Sequence, residues 1–268
     1  MSGGRQRAAL GQNLFRSDAP ARRLVQAAGV RPGDRVYDLG AGTGRVTAAL
    51  LAAGARVVAV ELDPTLARKL AARFDGADLR LVQSDLAEVA FRPPYKVVAN
   101  PPFGRTAALM KRLLFDPPAP VSAALVLQRE AALKYAGARA NAVSLAARPW
   151  FDIQIAGGID RSDFVPAPDV DVAILRLDRR PGPLLDQADR SAWEGFVRWA
   201  YARPPDEARR LFRPLLSRLQ WRRLADDLAI APDASRSTLT LDQWLGLFRF
   251  AGRHAAADRR RRAFGWAL

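Results

Sequence analysis

The sequence predicts an α/β fold: a Rossmann-like, seven-stranded domain over residues 1–180, followed by a small all-helical domain over residues 181–268. Three observations carry that reading. Apolar runs of strand length alternate with segments of helical period as far as Leu177, the pattern of a mostly parallel sheet covered by helices. Asp38-Leu39-Gly40-Ala41-Gly42-Thr43-Gly44 puts a glycine loop between a short strand and the helix after it. At Arg180-Pro181-Gly182-Pro183 the alternation stops, and the remainder has helical spacing only.

Composition bounds the function. With 268 residues, 49% of them hydrophobic, the chain can bury a full core. It has no cysteine, which excludes disulfides, thiolate zinc sites and the Cys nucleophile that ring-carbon cytosine methylation requires. No metal site is expected, and the one histidine, His254, has no candidate partner and is expected at the surface. No signal-peptide pattern opens the chain and no run of about 18 apolar residues spans a bilayer, so a cytoplasmic protein without a membrane partner is expected. A net charge of +15 and a pI near 11.3 point to a polyanion, nucleic acid before others. Only four of the 42 Lys and Arg are lysine, a bias that a GC-rich genome produces unaided. That bias explains Arg in place of Lys but not the excess of positive over negative charge.

Residues 1–10 carry Arg5 and Arg7 among small residues and read as a flexible basic arm. Gly11-Gln12-Asn13-Leu14-Phe15 follows, a weak signal taken alone. Ser17 or Asp18 then caps a helix through about Ala28, with Pro20 in its first turn. Arg35–Leu39 reads as a strand that the glycine loop turns into a helix ending near Ala53. The spacing G-x-G-x-G differs from the G-x-G-x-x-G of dinucleotide folds, and no pyrophosphate is cradled, which favours S-adenosylmethionine over NAD. The strand Arg56–Val60 ends in Glu61, a carboxylate able to take both ribose hydroxyls of a nucleoside. Asp63-Pro64 caps the next helix, and a strand over Asp78–Gln83 delivers Ser84-Asp85-Leu86 to the same edge, suited to an adenine amino group and ring face.

The fourth strand ends in Asn100-Pro101-Pro102-Phe103. Pro101 and Pro102 have fixed φ and Pro101 biases Asn100 away from the helical region, so the turn is stiff before any substrate arrives. Such a turn suits an exocyclic amine, a poor nucleophile whose lone pair is shared with its ring. The Asn100 carboxamide oxygen and the Pro101 carbonyl would accept its two protons, and Phe103 would stack on the flipped base. Alone, the motif also reads as a strand that merely stops at Pro-Pro. The ordered series of glycines, acid, Asp and Asn-Pro-Pro-Phe at four successive strand ends decides for the site, because open α/β sheets bind ligands there.

Beyond the turn, Arg105–Phe115 has helical spacing and Val121–Leu127 is a continuous apolar run fit for a central strand. Gln128-Arg129-Glu130 opens a helix through about Tyr135, and Trp150–Ala156 and Val170–Leu177 complete seven strands. Between the last two, Asp160–Pro168 is a polar loop carrying Phe164, either a second wall for the base or a residue tucked under the loop. Four helices are expected after residue 183, over 191–201, 206–219, 221–228 and 241–250. Trp193, Trp199, Phe212, Trp221, Trp244 and Phe248 read as packing, and the arginines between them, with Arg259-Arg260-Arg261-Arg262, as phosphate contacts.

Together these segments resemble the ribosomal RNA adenine N6-methyltransferases, the Erm type more than the small-subunit dimethyladenosine transferases. The resemblance runs over nearly the whole chain: Gly11–Phe15, Asp38–Gly44, Val60–Asp63, Ser84–Leu86, Asn100–Phe103, Leu127–Glu130 and Phe164–Asp171. It implies transfer of one or two methyl groups from S-adenosylmethionine to one adenine of 23S rRNA, naked or partly assembled, by a monomer. The outcome would be resistance to macrolides, lincosamides and streptogramin B. It also implies that Gln12, Asn13 and Phe15, the loop glycines Gly40 and Gly42, Glu61 and Leu62, Asp85 and Leu86, and Asn100 hold the cofactor. Asn100, Phe103 and Phe164 would surround the target base. The wider family often has Asn-Leu-Pro-Tyr or Asn-Ile-Pro-Tyr where this chain has Asn-Pro-Pro-Phe, a form shared with DNA adenine and glutamine N5 methyltransferases. The basic helical tail and the Phe-x-Pro-x-Pro loop return the reading to rRNA. The alternatives are a 16S-type rRNA dimethyltransferase, a DNA adenine methyltransferase and a catalytically idle RNA-binding assembly factor.

Overall fold

The computed structural model describes residues 13–137, 141–204 and 206–264. β1 (Leu14–Phe15), α1 (Asp18–Ala27), β2 (Arg35–Leu39), α2 (Arg45–Ala52), β3 (Arg56–Glu61) and α3 (Pro64–Arg73) open the chain. β4 (Leu79–Gln83), β5 (Lys96–Ala99), α4 (Thr106–Phe115), β6 (Ser122–Gln128) and α5 (Arg129–Ala136) follow, then α6 (Ala142–Ala147), β7 (Phe151–Ile159), β8 (Phe164–Val165) and β9 (Val172–Arg179). Five helices end it: α7 (Arg190–Tyr201), α8 (Ala208–Phe212), α9 (Arg218–Asp227), α10 (Leu241–His254) and α11 (Ala257–Phe264).

The main sheet has seven strands in the order β4-β3-β2-β5-β6-β9-β7. The five from β4 to β6 are parallel, and β9 runs antiparallel to both its neighbours. Val97, Val98, Ala99 and Ala123–Leu127 are all fully buried, as a central strand covered on both faces requires. Strand order reverses between β2 and β5, which pair through Val36, Tyr37 and Asp38. That reversal opens a crevice beyond their carboxyl ends, where doubly wound sheets take ligands.

Two local features differ from the sequence reading. Ser17 stands at the N-cap of α1 but makes no side-chain cap bond, and Asp18 instead pairs with Arg45 at 2.6 Å. A second, two-stranded sheet joins β1 to β8, with Leu14 opposite Val165 and Phe15 opposite Phe164. Arg16 N–H donates to the Asp163 carbonyl and Arg23 pairs with the Asp163 carboxylate at 2.5 Å, fixing both sides of that short ladder.

Contacts divide the chain into two compact units. One takes in the chain through Ala136 together with Phe151–Arg179; the other combines Gly137–Trp150 with the chain from Arg180 onward. The segment with α6 thus packs with the helices, its Ala146 carbonyl accepting from the buried Trp193 indole at 3.0 Å. Sequence order alone had kept it with the sheet. Within the helical unit Phe196 sits at the centre of an aromatic core of Trp193, Trp199, Phe212, Trp244, Phe248 and Phe264. The helix expected over 206–219 ends at Phe212, because Pro214 lacks the N–H that a further turn needs. α11 was read only as a run of arginines. Ala263 and Phe264 are buried on its other face, and a Cβ on Gly195 of α7 would collide with the Phe264 carbonyl, so the two helices meet backbone to backbone there.

Candidate active site

The crevice is built from backbone first. Gly40 and Ala41 N–H groups donate to the Val60 carbonyl at 2.8 and 3.0 Å, which folds the glycine loop back over the end of β3. Gly40, Gly42 and Gly44 have φ of 82°, 57° and 81°, left-handed values that a side chain resists. At Gly42 space is short as well: a Cβ there would lie 2.9 Å from the Leu14 side chain. Gly42 N–H donates to Glu61 Oε2 at 2.7 Å and Asp63 N–H to Oε1 at 2.9 Å. Both Glu61 oxygens are therefore aimed by the main chain, and each keeps a lone pair for a further donor. Asp63 caps α3 by accepting from Thr65 and Leu66 N–H.

Asp38 lies beneath the loop, 1% exposed. Its Oδ2 accepts from the Thr47 hydroxyl at 2.6 Å, while Oδ1 is buried with no partner among the described residues. Burial pushes its carboxyl up to about 7, helped by the neighbouring Glu61 charge and opposed by the Thr47 hydrogen bond. A buried acceptor lacking a donor is costly. A cationic amine entering the loop would satisfy it.

On the other side of the switch point, Asn100 donates from Nδ2 to the Asn13 carbonyl at 2.8 Å. That bond orients the carboxamide, and among the described residues no donor takes its Oδ1. The β1–β8 ladder therefore has a purpose: it holds Asn13 against Asn100 and Leu14 against Gly42. Phe103 begins a single 3-10 turn, half-buried against the sheet core, and its carbonyl accepts from the Thr106 hydroxyl. Arg105, two residues on, pairs with the Asp85 carboxylate. Asp85 is held below the usual carboxylate range, first by the Ala87 N–H; burial opposes this, and the Arg105 guanidinium adds to the lowering. Leu86 is buried with its carbonyl accepting from Arg112, and Leu62 is exposed beside Glu61.

Of the residues expected from the sequence, Asn13, Gly40, Gly42, Glu61 and Asn100 meet in one connected set of contacts. Gln12 lies outside the described residues. Phe15 and Phe164 meet each other at 5.2 Å, and Phe164 is fully buried. Its ring has no open face here; to wall a base it must first leave Phe15. Thr47, Leu14 and Arg105 escaped sequence reasoning, since nothing local marks a hydroxyl nine residues past an acid or an arginine twenty past one. Among the described residues no three His, Cys, Asp or Glu cluster as a metal site.

A profile described as ribosomal RNA adenine dimethylase matches residues 3–251. The chain belongs to that family. It is a family of S-adenosylmethionine-dependent enzymes, and this chain is by class an rRNA adenine N6-methyltransferase. The mycinamicin-resistance protein MyrB of Micromonospora griseorubida is 34% identical over 246 residues, covering 90% of this chain and 77% of that protein. The ribosomal RNA small subunit methyltransferase A of Streptomyces griseus is 33% identical over 255 residues, covering 88% and 86%. The crystal structure of the 23S rRNA methyltransferase ErmE superposes with a TM-score of 0.82 at 28% identity, covering 90% of this chain and all of that one. The dimethylase family thus includes close relatives acting on either ribosomal subunit. No helix among the described residues is long and apolar enough to cross a membrane.

The donor set fits the family's cofactor. Asp38 Oδ1 offers an unmet acceptor for an amino-acid ammonium, and the paired oxygens of Glu61 offer acceptors for two ribose hydroxyls. Leu62 offers an open apolar surface for a purine face.

Proposed function

We propose that this chain methylates N6 of one adenine in 23S rRNA, as naked RNA or an early precursor, and so confers resistance to macrolide, lincosamide and streptogramin B antibiotics. The Asn100–Asn13 hydrogen bond carries the chemical part of the reading. With Nδ2 committed to that carbonyl, the Asn100 carboxamide oxygen would be the group left to meet a substrate, beside two prolines of fixed φ. S-adenosylmethionine, when bound, would supply an electrophilic methyl group. Asn100 Oδ1 and the Pro101 carbonyl would accept hydrogen bonds from the two amine N–H groups, drawing the nitrogen lone pair out of conjugation and toward the methyl carbon, and one of those protons would pass to solvent as the new N–C bond forms. Phe103 would hold the flipped base flat, at a stacking worth about 1–3 kcal/mol. Asp38 and Glu61 would grip the cofactor, and the basic helical unit would bring phosphates. The chain would act as a cytoplasmic monomer with its sheet unit catalytic.

For the choice of ribosomal subunit, full coverage of ErmE at a TM-score of 0.82 supports 23S rRNA. The small-subunit relative, 33% identical, favours a second reading in which the target lies in 16S rRNA. Purified 23S rRNA, 16S rRNA and DNA, each tested for methyl acceptance with the modified base mapped, separate these. Methylation of 16S alone, or unchanged macrolide sensitivity in cells expressing the chain, would overturn the 23S reading.

A further inference from the structure

The helical unit holds a pocket of about 260 Å³ that methyl transfer does not use. Arg209 and Arg210 on α8, Arg213 after it, and Arg218 and Trp221 on α9 line it, with Glu207 at its edge. All four guanidinium groups are exposed, and among the described residues only Arg210 has a carboxylate, Glu207 at 2.8 Å. Trp221 is half-buried and stacked on the buried Phe212 ring at 6.0 Å and 13°. A merely solvated arginine face does not need an aromatic side wall. Arginines around a flat ring match a nucleotide, since guanidinium forks suit phosphate oxygens and an indole face suits any base.

We propose that this pocket takes one unstacked nucleotide of single-stranded RNA, its base stacked on Trp221 and its flanking phosphates held by Arg209, Arg213 and Arg218. This rests on the proposed RNA substrate and adds to it a docking point away from the target adenine. An acidic peptide would satisfy the same charges but leave the ring unused. Duplex RNA presents phosphates but no free base face.

Binding of the full chain to three labelled RNAs tests it: a short single strand, the same strand with abasic positions, and a duplex of equal length. Trp221→Ala should weaken the intact single strand roughly five-fold to hundred-fold, with little change for the abasic strand or the duplex. Trp221→Phe, which keeps a stack on Phe212, should recover most of that loss. Joint Arg209→Ala and Arg213→Ala should reduce the slope of log affinity against log salt by about 1.4 for the single strand. Cofactor affinity should stay unchanged throughout. Equal binding of intact and abasic strands by the unaltered protein would overturn the stacked nucleotide without relying on any variant's folding. So would competition by polyglutamate as strong as that by single-stranded RNA. If the unaltered protein bound none of the three RNAs, the rRNA substrate itself would fall; binding with indifferent variants would remove only the pocket.

Discussion

Glu61 and Asp38 at the sheet edge are each 1% exposed, and every described bond they make goes to a main-chain N–H or the Thr47 hydroxyl. Several arginines of the helical unit are the reverse: Arg209, Arg213, Arg218, Arg259 and Arg261 are exposed, over a core made of stacked aromatics. Buried carboxyl groups in the first region are held by specific hydrogen bonds, and their burial costs some stability. Exposed charges in the second create a field that draws in polyanions and tolerates imprecision. The difference separates two kinds of residue effect, one on rate and cofactor, the other on RNA affinity and its salt dependence.

The largest expected effect tests the first region. Asn100→Ala removes the acceptor for the attacking amine and should lower single-turnover methyl transfer by about 10²-fold or more, with RNA affinity retained. Near-normal turnover at saturating cofactor would end the amine-activation role. Next, Glu61→Ala should weaken cofactor binding by roughly 1.5–3 kcal/mol, the worth of hydrogen bonds to a charged group. Calorimetry should show this with RNA binding untouched; a matching loss of RNA affinity would erase the contrast between regions.

A third expectation follows from Asp38, whose folded carboxyl titrates near 7 against 3.8 for a free one. Between those values the folded chain keeps a proton that the unfolded chain releases, so this group's contribution to stability falls as pH rises through that window. A bound ammonium beside Oδ1 favours the charged form. Cofactor affinity should therefore rise with pH up to about 7, by at most about ten-fold per unit. Asp38→Asn should flatten both profiles, as thermal unfolding and equilibrium binding would reveal; an unchanged binding profile would move the ammonium elsewhere. The smallest effect belongs to the second region. Arg259→Ala with Arg261→Ala should cut the salt slope of RNA binding by about 1.4 to 1.8, leaving cofactor affinity and the unfolding midpoint alone. A change in which adenine is methylated would make those arginines specificity elements instead.

Much of the candidate site is legible because strand ends carry their chemistry in order: glycines after β2, Glu61 as the last residue of β3, Asp85 after β4, Asn100 after β5. Each strand is an apolar run of the right length, and period is what a sequence displays best. The two-residue strands β1 and β8 have no period to display. Their pairing joins positions about 150 apart, so the reason for Asn13 and Phe15 stayed hidden until the ladder was seen. α6 is short and rich in alanine, and α11 presents four arginines in a row, which mask the buried pair that follows them. For Phe164 the sequence allows two roles, and the structure places its ring buried against Phe15.

The meeting of α11 with Gly195 bears on how this protein can be shortened. Arg259–Arg262 look like a detachable fringe, and trimming the chain before them would be the natural way to ask what they do. But Phe264, just beyond, stacks on Phe196 at 5.4 Å and is 2% exposed, so a cut at 259 takes a keystone along with the fringe. Loss of RNA binding in such a shortened protein would report a collapsed helical unit as readily as missing charge. The arginines must be altered in place.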